Sequence, residues 1–344
     1  MVCSFNRLMK PAIIVLNWNG ADDALECIDS LAQQTLTPAI IIVDNNSHDD
    51  SVERFKEYIS AHPKSDIDLI ENRQNLGFAG GINTGIRHAL KRKFRYIGTL
   101  NPDAVADKNW CKYIINELKN HKDVGIATGL LLRQNSDTVD SSGDFYTTWG
   151  LPGPRNRDEP RANAPQEPGY VFGATGGGVI FRAQIFDDID PFDEDFFMYY
   201  EDIDISFRAQ LAGWKARYTP HAIAYHKVSA SSSKVPGLAV YNTFKNLPLV
   251  FIKNVPGDIF FSIGWRFFAT YWLIFTSAVR HGNGWPALKG ALASLAKQPK
   301  AWKKRRQIQK NRRVSTDYLK NIIHDGPLPN QTGLLKFRKF FTGK

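Results

Sequence analysis

Short apolar runs alternate with amphipathic segments up to about residue 130. The runs are typical of strands buried on both faces, and they predict strands over residues 12–16, 40–43, 67–70, 96–100 and 124–128. Between them, apolar side chains recur at helical spacing, as at Leu25, Ile28 and Leu31. The alternation predicts an α/β fold with a mostly parallel sheet flanked by helices.

Polar residues follow the ends of several predicted strands. Asn17, Asp44, Asn75 and Asp103 each stand just beyond an apolar run or its connection. In a parallel sheet such positions share one edge, where ligands bind. Each residue alone is also a common turn former, so the signal is the set of four.

The stretch 196–226 carries the densest chemistry. Glu201, Asp202 and Asp204 follow an aromatic run and open an amphipathic helix that ends at Gly213. Carboxylates beside aromatic rings are partly desolvated and can act as general bases. Acids in a first helical turn also simply favour the helix dipole. The spacing leaves both interpretations open.

Glycine-rich segments are a second group of candidates. Residues 75–85 could bring backbone N–H groups to a diphosphate, although they form neither a G-x-G-x-x-G fingerprint nor a Walker loop. Gly176 and Gly177 lie in a triple glycine that is either a bulge or a place where a ligand meets bare backbone. Five prolines in residues 151–168 predict a surface loop, and the Ser-rich residues 227–237 predict a mobile segment.

Charge divides the chain into two parts. The formal net charge is +10, but residues 1–235 carry 25 Lys and Arg against 31 Asp and Glu, whereas residues 236–344 carry 19 against 3. The acidic part suits metal and phosphate chemistry, and the basic part suits an anionic surface. Three cysteines without metal or disulfide spacing fit a reducing compartment, and the N-terminus shows no evident signal peptide.

The basic part contains an aromatic, apolar segment, residues 259–279, which is long enough to span a bilayer. Arg266 and several hydroxyl side chains interrupt it, and Trp and Tyr are spread through it, as in a segment lying at the interface. The pattern predicts a peripheral protein on the cytoplasmic face of the cell membrane. A helical subdomain packed on the core is the alternative. The absence of a recognised motif and the acidic first part disfavour nucleic acid.

Asp103 and His226 are the candidate metal ligands. A loop carboxylate after a buried strand can hold Mg²⁺ or Mn²⁺, with phosphate oxygens completing the coordination. The imidazole of His226 would favour Mn²⁺. A histidine that follows a strand is also often structural.

Six motifs then carry a resemblance that covers residues 11–230. They are V-D-N-N-S (43–47), N-L-G-F-A-G-G-I-N (75–83), N-P-D (101–103), F-D-E-D-F-F (192–197), Y-E-D-I-D (200–204) and His226. In this order the chain resembles the inverting family 2 glycosyltransferases of GT-A fold, a Rossmann-like architecture. It looks most like bacterial rhamnosyltransferases and galactofuranosyltransferases.

The resemblance assigns roles to the candidate residues. It implies that Asp44 contacts the nucleotide base and that Asp103 and His226 bind Mn²⁺ or Mg²⁺. It implies that Asp202 is the general base, with Glu201 beside it. The contacts expected for the nucleotide sugar are Asn17, Asp44, Asn75, Gly77, Asn83, Asn101 and Asp103, and those for the acceptor are Gly176, Gly177 and Trp214. Asn101 stands where the family's D-x-D element has its first acid, which removes one negative charge.

The implied activity is inverting, metal-assisted transfer from a nucleoside diphosphate sugar to a lipid-linked or cell-envelope glycan. Rhamnose from dTDP-rhamnose is the expected donor sugar. The Q-x-x-R-W signature of processive synthases is absent, which predicts limited transfer. The predicted domains are residues 1–235, catalytic, and 236–344, helical and membrane-associating. A catalytically silent sugar-nucleotide-binding scaffold is the alternative function, and a dinucleotide oxidoreductase lacks its glycine fingerprint.

Overall fold

The computed structural model describes residues 10–228 and 235–326. Its strands are β1 (Ala12–Asn17), β2 (Ala39–Asp44), β3 (Ile67–Glu71), β4 (Tyr96–Leu100), β5 (Ala104–Ala106), β6 (Val124–Arg133), β7 (Val139–Ser141), β8 (Asp144–Tyr146), β9 (Pro152–Pro154), β10 (Gly169–Val171), β11 (Gly178–Arg182) and β12 (Lys215–His226).

The α-helices of the same residues are α1 (Ala21–Ala32), α2 (Ser51–Ala61), α3 (Gly77–Lys91), α4 (Trp110–Asn120), α5 (Ile185–Asp188), α6 (Glu201–Leu211), α7 (Leu238–Asn254), α8 (Gly257–Arg280), α9 (Gly284–Lys310) and α10 (Thr316–Ile322). Short 3₁₀ turns lie at Arg161–Asn163 and Glu194–Phe196.

One large sheet organises the first part of the chain. Its strand order is β10-β12-β6-β11-β4-β1-β2-β3, with β5 paired to β12 and β7 to β6. Strands β3, β2, β1 and β4 are parallel, as predicted. Strand β11 runs antiparallel between β4 and β6, so the sheet is mixed there. Strand β6 runs in the same direction as β4, because β11 is antiparallel to both, and β12 is parallel to β6. The carboxyl ends of β1, β2, β4 and β12 therefore share one edge of the sheet.

The central strands are buried on both faces, which explains their unbroken apolar runs. In β1, Ile14 faces a cluster with Ile82 and Ile86 of α3, whereas Ile13 faces a cluster with Ile28 of α1. Neighbouring residues of a strand therefore serve opposite cores, as the two-residue period of a strand requires.

The C-terminal helices share a third core with the first part of the chain. Phe207 and Leu211 of α6 pack with Leu249 and Phe251 of α7 and with Phe267 of α8. The alternative expectation of a helical subdomain packed on the core is therefore realised along this face. The other face of α8 remains exposed, as described below.

Several expectations differ from the structure. Strand β6 extends five residues beyond the predicted 124–128, to Arg133. Residues 151–168, predicted as a loop, include β9, which pairs with β8. Helix α7 was not predicted, because Pro248 and several polar residues interrupt its apolar pattern; its buried polar side chains bind other elements instead. Most of the predicted mobile segment 227–237 lies outside the described residues.

Candidate active site

Asp103 and His226 meet at the carboxyl edge of the sheet. Strand β5 pairs antiparallel with β12 and places Ala104 opposite His226, so Asp103 lies beside the imidazole. The distance from His226 Nε2 to Asp103 Oδ1 is 3.0 Å. Asn101 Nδ2 lies 3.2 Å from the same imidazole nitrogen. The predicted D-x-D element and the predicted histidine are therefore in one cluster.

A third carboxylate, Asp140, holds the other side of this imidazole. His226 Nδ1 lies 2.9 Å from Asp140 Oδ2, and Asp140 is buried. Burial alone would lower the pKa of His226, but the hydrogen bonds to Asp103 and Asp140 raise it to about 9. Without a bound cation the imidazole is therefore protonated at neutral pH and bridges two carboxylates.

Asp202 begins helix α6 and is half-buried. Its Oδ2 accepts a hydrogen bond from the Gly176 amide at 3.2 Å, and its Oδ1 accepts one from the Ile203 amide at 2.8 Å. Burial raises its pKa above the usual range for an aspartate, although these backbone hydrogen bonds lower it. A positioned carboxylate with a raised pKa suits a general base.

Gly176 and Gly177 connect Asp202 to the Asp103–His226 cluster. The Gly176 amide donates to Asp202, and the Gly177 carbonyl accepts from the Asn101 amide at 3.0 Å. The Thr99 hydroxyl also donates to the Gly176 carbonyl at 2.6 Å. A Cβ at Gly176 would approach the Phe78 ring to 3.0 Å, and one at Gly177 would approach Asn101 Nδ2 to 3.1 Å. Glycine at both positions therefore permits this segment to pack closely against Phe78 and Asn101. The two glycines precede β11 and do not form a bulge in the sheet.

Glu201 differs from its neighbour. It is 5% exposed, and its Oε2 has no hydrogen-bond partner. Burial, and then the charge of Asp202, raise its pKa well above the usual range, while Lys245 lowers it. Burial thus favours the neutral form of Glu201, which lies deeper in the protein than Asp202, and its predicted catalytic role stays a prediction.

The aromatic run before α6 has an unusual backbone. Phe197, Tyr199 and Tyr200 have φ values of 64°, 69° and 70°, a region that L-residues rarely adopt. Asn246 of α7 donates to the carbonyls of Met198 and Tyr199 at 2.9 and 2.8 Å. The C-terminal helices thus hold the strained segment that precedes Asp202.

Asn17 and Asp44 lie together at the ends of β1 and β2. Asn17 Nδ2 donates to Asp44 Oδ1 at 3.0 Å, and the Ser47 amide donates to Asp44 Oδ2 at 2.9 Å. Both side chains are buried, and Asn17 Oδ1 has no partner. Asp44 is therefore oriented by its neighbours, with Asn17 as a support behind it.

The glycine-rich segment has a packing role, and the diphosphate cradle expected of it stays a prediction. The amides of Leu76 and Gly77 donate to Asn45 Oδ1 and Asn75 Oδ1, at 3.1 and 2.8 Å. Gly77 has a φ of 69°, and its Cβ would lie 2.4 Å from the Phe197 carbonyl oxygen. Asn75 and Gly77 thus shape the start of α3, where the amides of Leu76 and Gly77 have protein partners.

Asn83 has protein partners for its side-chain amide group. It is 4% exposed, its Nδ2 donates to the Phe192 carbonyl at 2.8 Å, and its Oδ1 accepts from the Phe192 amide at 3.0 Å. In this structure the Asn83 amide group joins α3 to the segment before Glu194, and its nucleotide-sugar contact stays a prediction.

Trp214 is also apart from the site. It precedes Lys215, which pairs with Val124 at the amino end of β12, and its Nε1 donates to Asp188 Oδ2 at 2.8 Å. His226 ends the same strand. Twelve residues of β-strand span about 35–40 Å. The predicted acceptor contact of Trp214 is therefore wrong.

Asp140 and Asp144 were missed by the sequence prediction. Both are buried within a short segment whose only sequence signal is two acids around Ser-Ser-Gly. Burial, and then the charge of Asp202, raise the pKa of Asp144 well above the usual range. Asp140 contacts His226, and Asp144 lies beside the candidate base.

The Asp103–His226 pair was tested for its fit to a divalent cation. Across residues 10–228 and 235–326, no three His, Cys, Asp or Glu side chains form a group that could hold a metal alone. A carboxylate oxygen and an imidazole nitrogen 3.0 Å apart nevertheless supply two donors suited to Mn²⁺. Cations of this class commonly take few protein ligands and complete their coordination with phosphate oxygens and water. The pair therefore fits a cation shared with a bound diphosphate.

Comparison with known proteins supports the same fold. The family model described as Glycosyl transferase family 2 matches residues 12–190. A curated relative, the low-salt glycan biosynthesis hexosyltransferase Agl10 of Haloferax volcanii, is 30% identical over 156 residues, which are 42% of this chain and 47% of that protein. The chain thus spans about half the length of that relative.

Two solved structures share the fold. TarS residues 1–349 of S. aureus have a TM-score of 0.54 at 16% identity, with 88% of each chain covered. The mannosyltransferase PcManGT of Pyrobaculum calidifontis, solved with GDP-Man and Mn²⁺, has a TM-score of 0.52 at 16% identity, covering 91% of this chain and 83% of that one.

Proposed function

The chain belongs to glycosyl transferase family 2, and on that premise we propose that it transfers a sugar from a nucleoside diphosphate donor to an acceptor hydroxyl with inversion. One observation carries the proposal. The Gly176–Gly177 backbone hydrogen-bonds to Asp202 on one side and to Asn101 of the Asp103–His226 cluster on the other. One short segment thus holds a base near a pair of cation ligands, which suits a displacement at a carbon that both can reach.

The proposed chemistry is a single displacement. The acceptor oxygen forms a bond to the anomeric carbon, the bond from that carbon to the diphosphate breaks, and the acceptor proton goes to Asp202. Asp103 and His226 would hold Mn²⁺ or Mg²⁺, which supplies charge neutralisation for the departing diphosphate. Asp44, oriented by Asn17, would accept a hydrogen bond from the base, and Asn75 would lie beside it.

The donor sugar and acceptor are finer proposals. We propose rhamnose from dTDP-rhamnose, supported by the motif resemblance, and limited transfer to a lipid-linked or cell-envelope glycan. The hexosyltransferase relative acts in glycan biosynthesis by its name, which supports a hexose or deoxyhexose. A thermal-shift panel of sugar nucleotides tests this choice, because the true donor stabilises the native state by about 2.7 kcal/mol at a hundred times its Kd. A larger shift with UDP or GDP sugars would replace dTDP-rhamnose.

Asp103→Ala should remove the cation-dependent part of donor binding. In the wild type we expect Mn²⁺ to increase the melting-temperature shift produced by dTDP-rhamnose, whereas in Asp103→Ala the shift should be the same with Mn²⁺ and with EDTA. The variant Asp187→Ala, which changes an exposed aspartate, is the matched control. Retention of the Mn²⁺ effect in Asp103→Ala would remove this residue from cation binding.

We further propose that residues 236–344 attach the protein to the inner face of the cell membrane. Of the described residues, only helix α8 is long and apolar enough to cross a membrane, by length and composition. Its residues Ile259, Ile263 and Phe267 pack into the third core. The opposite stripe is exposed, with Phe261 at 86%, Trp265 at 62%, Phe268 at 71% and Trp272 at 58%.

This arrangement favours a helix that lies on the membrane. A helix with one face packed against the catalytic part along its first three turns cannot cross a bilayer without carrying that part into lipid. Helix α9 adds the exposed residues Trp285, Leu288, Leu292 and Leu295. Basic side chains such as Lys289 and Lys303 accompany them, and each basic residue near an anionic surface contributes about 1 kcal/mol.

Trp265→Ser with Trp272→Ser should weaken binding to phosphatidylglycerol vesicles by at least tenfold. Two indole rings leave the interface, and burial of a large apolar side chain contributes about 1.5–3 kcal/mol. Vesicle flotation at low salt measures the effect, with Tyr170→Ser, an exposed aromatic elsewhere, as the control. Wild-type protein that stays with the soluble fraction would contradict membrane attachment, and a dimer that dissociates in the double variant would assign the stripe to a second copy.

A further inference from the structure

We infer that Asp140 is a positioning residue that fixes the ring orientation and tautomer of His226, so that its Nε2 lone pair faces the cation. The inference rests on the proposed function, since it concerns a cation held by Asp103 and His226. Asp140 belongs to none of the six motifs that carry the family resemblance, and its role follows from the backbone geometry of strand β7.

A β-bulge directs the Asp140 carboxylate. Strand β7 pairs antiparallel with β6, with Ser141 opposite Leu131 and Val139 opposite Leu132. Adjacent residues of β6 therefore face residues two apart in β7, and Asp140 is the extra residue. A bulge redirects a side chain and commonly occurs beside active sites. Without this extra residue, the alternation of side chains along β7 would direct the side chain of residue 140 to the opposite face of the sheet.

Strand β12 brings His226 to that carboxylate from the other side of β6. Tyr225 and His226 pair with Leu132 and Arg133 of β6, so β12 and β7 flank the same part of one strand. The result is the 2.9 Å contact between His226 Nδ1 and Asp140 Oδ2. The Asp140 side chain is 7% exposed and that of His226 is 13% exposed, so water competes little for either group.

The two nitrogens of His226 have separate partners. Nδ1 faces Asp140, whereas Nε2 faces Asp103 and Asn101. A carboxylate only accepts hydrogen bonds, so contact with Asp140 requires a proton on Nδ1. Without a cation, the contact with Asp103 requires a proton on Nε2 in the same way. When a cation replaces that proton, the Nε2 lone pair faces the cation and Nδ1 keeps its proton toward Asp140.

A fixed carboxylate orients the ring better than a mobile one. Arg157 Nη2 forms an ion pair with Asp140 Oδ1 at 3.0 Å, so the oxygen that does not face His226 is held as well. Carboxylates of this kind behind a metal-binding histidine fix the ring and increase its basicity, and their loss typically weakens metal binding by about 10–100-fold.

The decisive experiment compares Asp140→Asn and Asp140→Ala with wild type in the full chain. Mn²⁺ affinity, measured by electron paramagnetic resonance in the presence of the nucleoside diphosphate that gives the largest thermal shift, should fall by about 10–100-fold in Asp140→Ala and by less in Asp140→Asn, whose carbonyl oxygen can still accept from Nδ1. Asp137→Asn, an exposed aspartate of the same hairpin, should bind Mn²⁺ as the wild type does.

A second readout separates positioning from folding. With Mg²⁺ and the nucleoside diphosphate bound, ¹⁵N NMR of histidine-labelled wild type should show a slowly exchanging proton on His226 Nδ1, hydrogen-bonded to Asp140. In Asp140→Ala that proton should exchange with water much faster, while the melting temperature reports an intact fold. Wild-type Mn²⁺ affinity and an unchanged Nδ1 exchange rate in Asp140→Ala would overturn the inference while leaving the Asp103–His226 site in place. Absence of Mn²⁺ binding to the wild type in the presence of the nucleoside diphosphate would overturn that site, and the inference with it.

Discussion

Asp202→Asn should lower the turnover number by about 10²–10⁴-fold and leave donor binding intact, which is the usual contribution of a general base. The amide keeps the size of the carboxylate, and its single oxygen can still accept from one of the two backbone amides that bind Asp202, those of Gly176 and Ile203, so the start of α6 should keep its place. What it cannot do is take the proton of the acceptor hydroxyl. Initial rates with saturating donor and acceptor measure the loss, and the donor-induced melting shift measures binding.

Glu201→Gln is the matched control for this variant, because it makes the same chemical change one residue earlier. Glu201 is buried, and burial raises its pKa well above the usual range and so disfavours its charged form. An amide of the same shape should therefore keep most of the activity. A large loss in Glu201→Gln together with full activity in Asp202→Asn would reverse the assignment and make Glu201 the base.

The pH dependence of the transfer activity is a third test of Asp202 as the base. A base works only when it is deprotonated, so activity falls as the pH drops through its pKa. Because burial raises the pKa of Asp202, the acid limb of the wild-type profile should lie above the ordinary value of 3.8. The limb should be absent from the residual activity of Asp202→Asn.

The strands and the convergence of Asp103 with His226 could be predicted from the sequence. Apolar runs specify buried strands by themselves, and residues that follow parallel strands must share an edge. The motif order supplied the link between Asp103 and His226, which are 123 positions apart. Because Asp103 and His226 both lie at the ends of strands that run in the same direction, one edge of the sheet can bring them together.

Asp140 could not be predicted, because its role depends on a one-residue bulge. A shift of one residue reverses which face a side chain takes, and no residue pattern marks the shift here. The partners of Asn83 and Trp214 could not be predicted for a related reason. A motif gives the chemistry of a side chain but not its partners, and the partners of these two residues are Phe192 and Asp188.

Lys253→Met should lower the free energy of unfolding by about 3 kcal/mol, because it removes the buried cation that Asp193 and Asp204 share and leaves each of them one other cation, Lys304 or Arg208. Lys253 Nζ lies 2.5 Å from Asp193 Oδ2 and 2.7 Å from Asp204 Oδ1, and its side chain is 3% exposed. Methionine fills similar space, so the loss measures the ionic contacts more than a cavity. Urea unfolding followed by tryptophan fluorescence gives the change.

Lys300→Met is the matched control. Lys300 pairs with Asp195 at 2.8 Å, but its side chain is 60% exposed, and an exposed ion pair contributes about 0–1 kcal/mol. Equal losses in the two variants would mean that the buried network contributes no more than a surface pair. The destabilisation of Lys253→Met would then have to come from packing alone.

Lys253 also bears on catalysis, because the two carboxylates that it binds flank the segment that leads to Asp202. Asp193 lies in the F-D-E-D-F-F motif and Asp204 in the Y-E-D-I-D motif, and the strained residues before Asp202 lie between them. Two residues of α7 hold that segment. Lys253 binds Asp193 and Asp204 at its two ends, and Asn246 binds the Met198 carbonyl in its middle. A chain cut at residue 235 lacks both. It should therefore lose the geometry at Asp202 even though all six motifs remain, and transfer by such a fragment at wild-type rate would show that the C-terminal helices are not needed to hold the base.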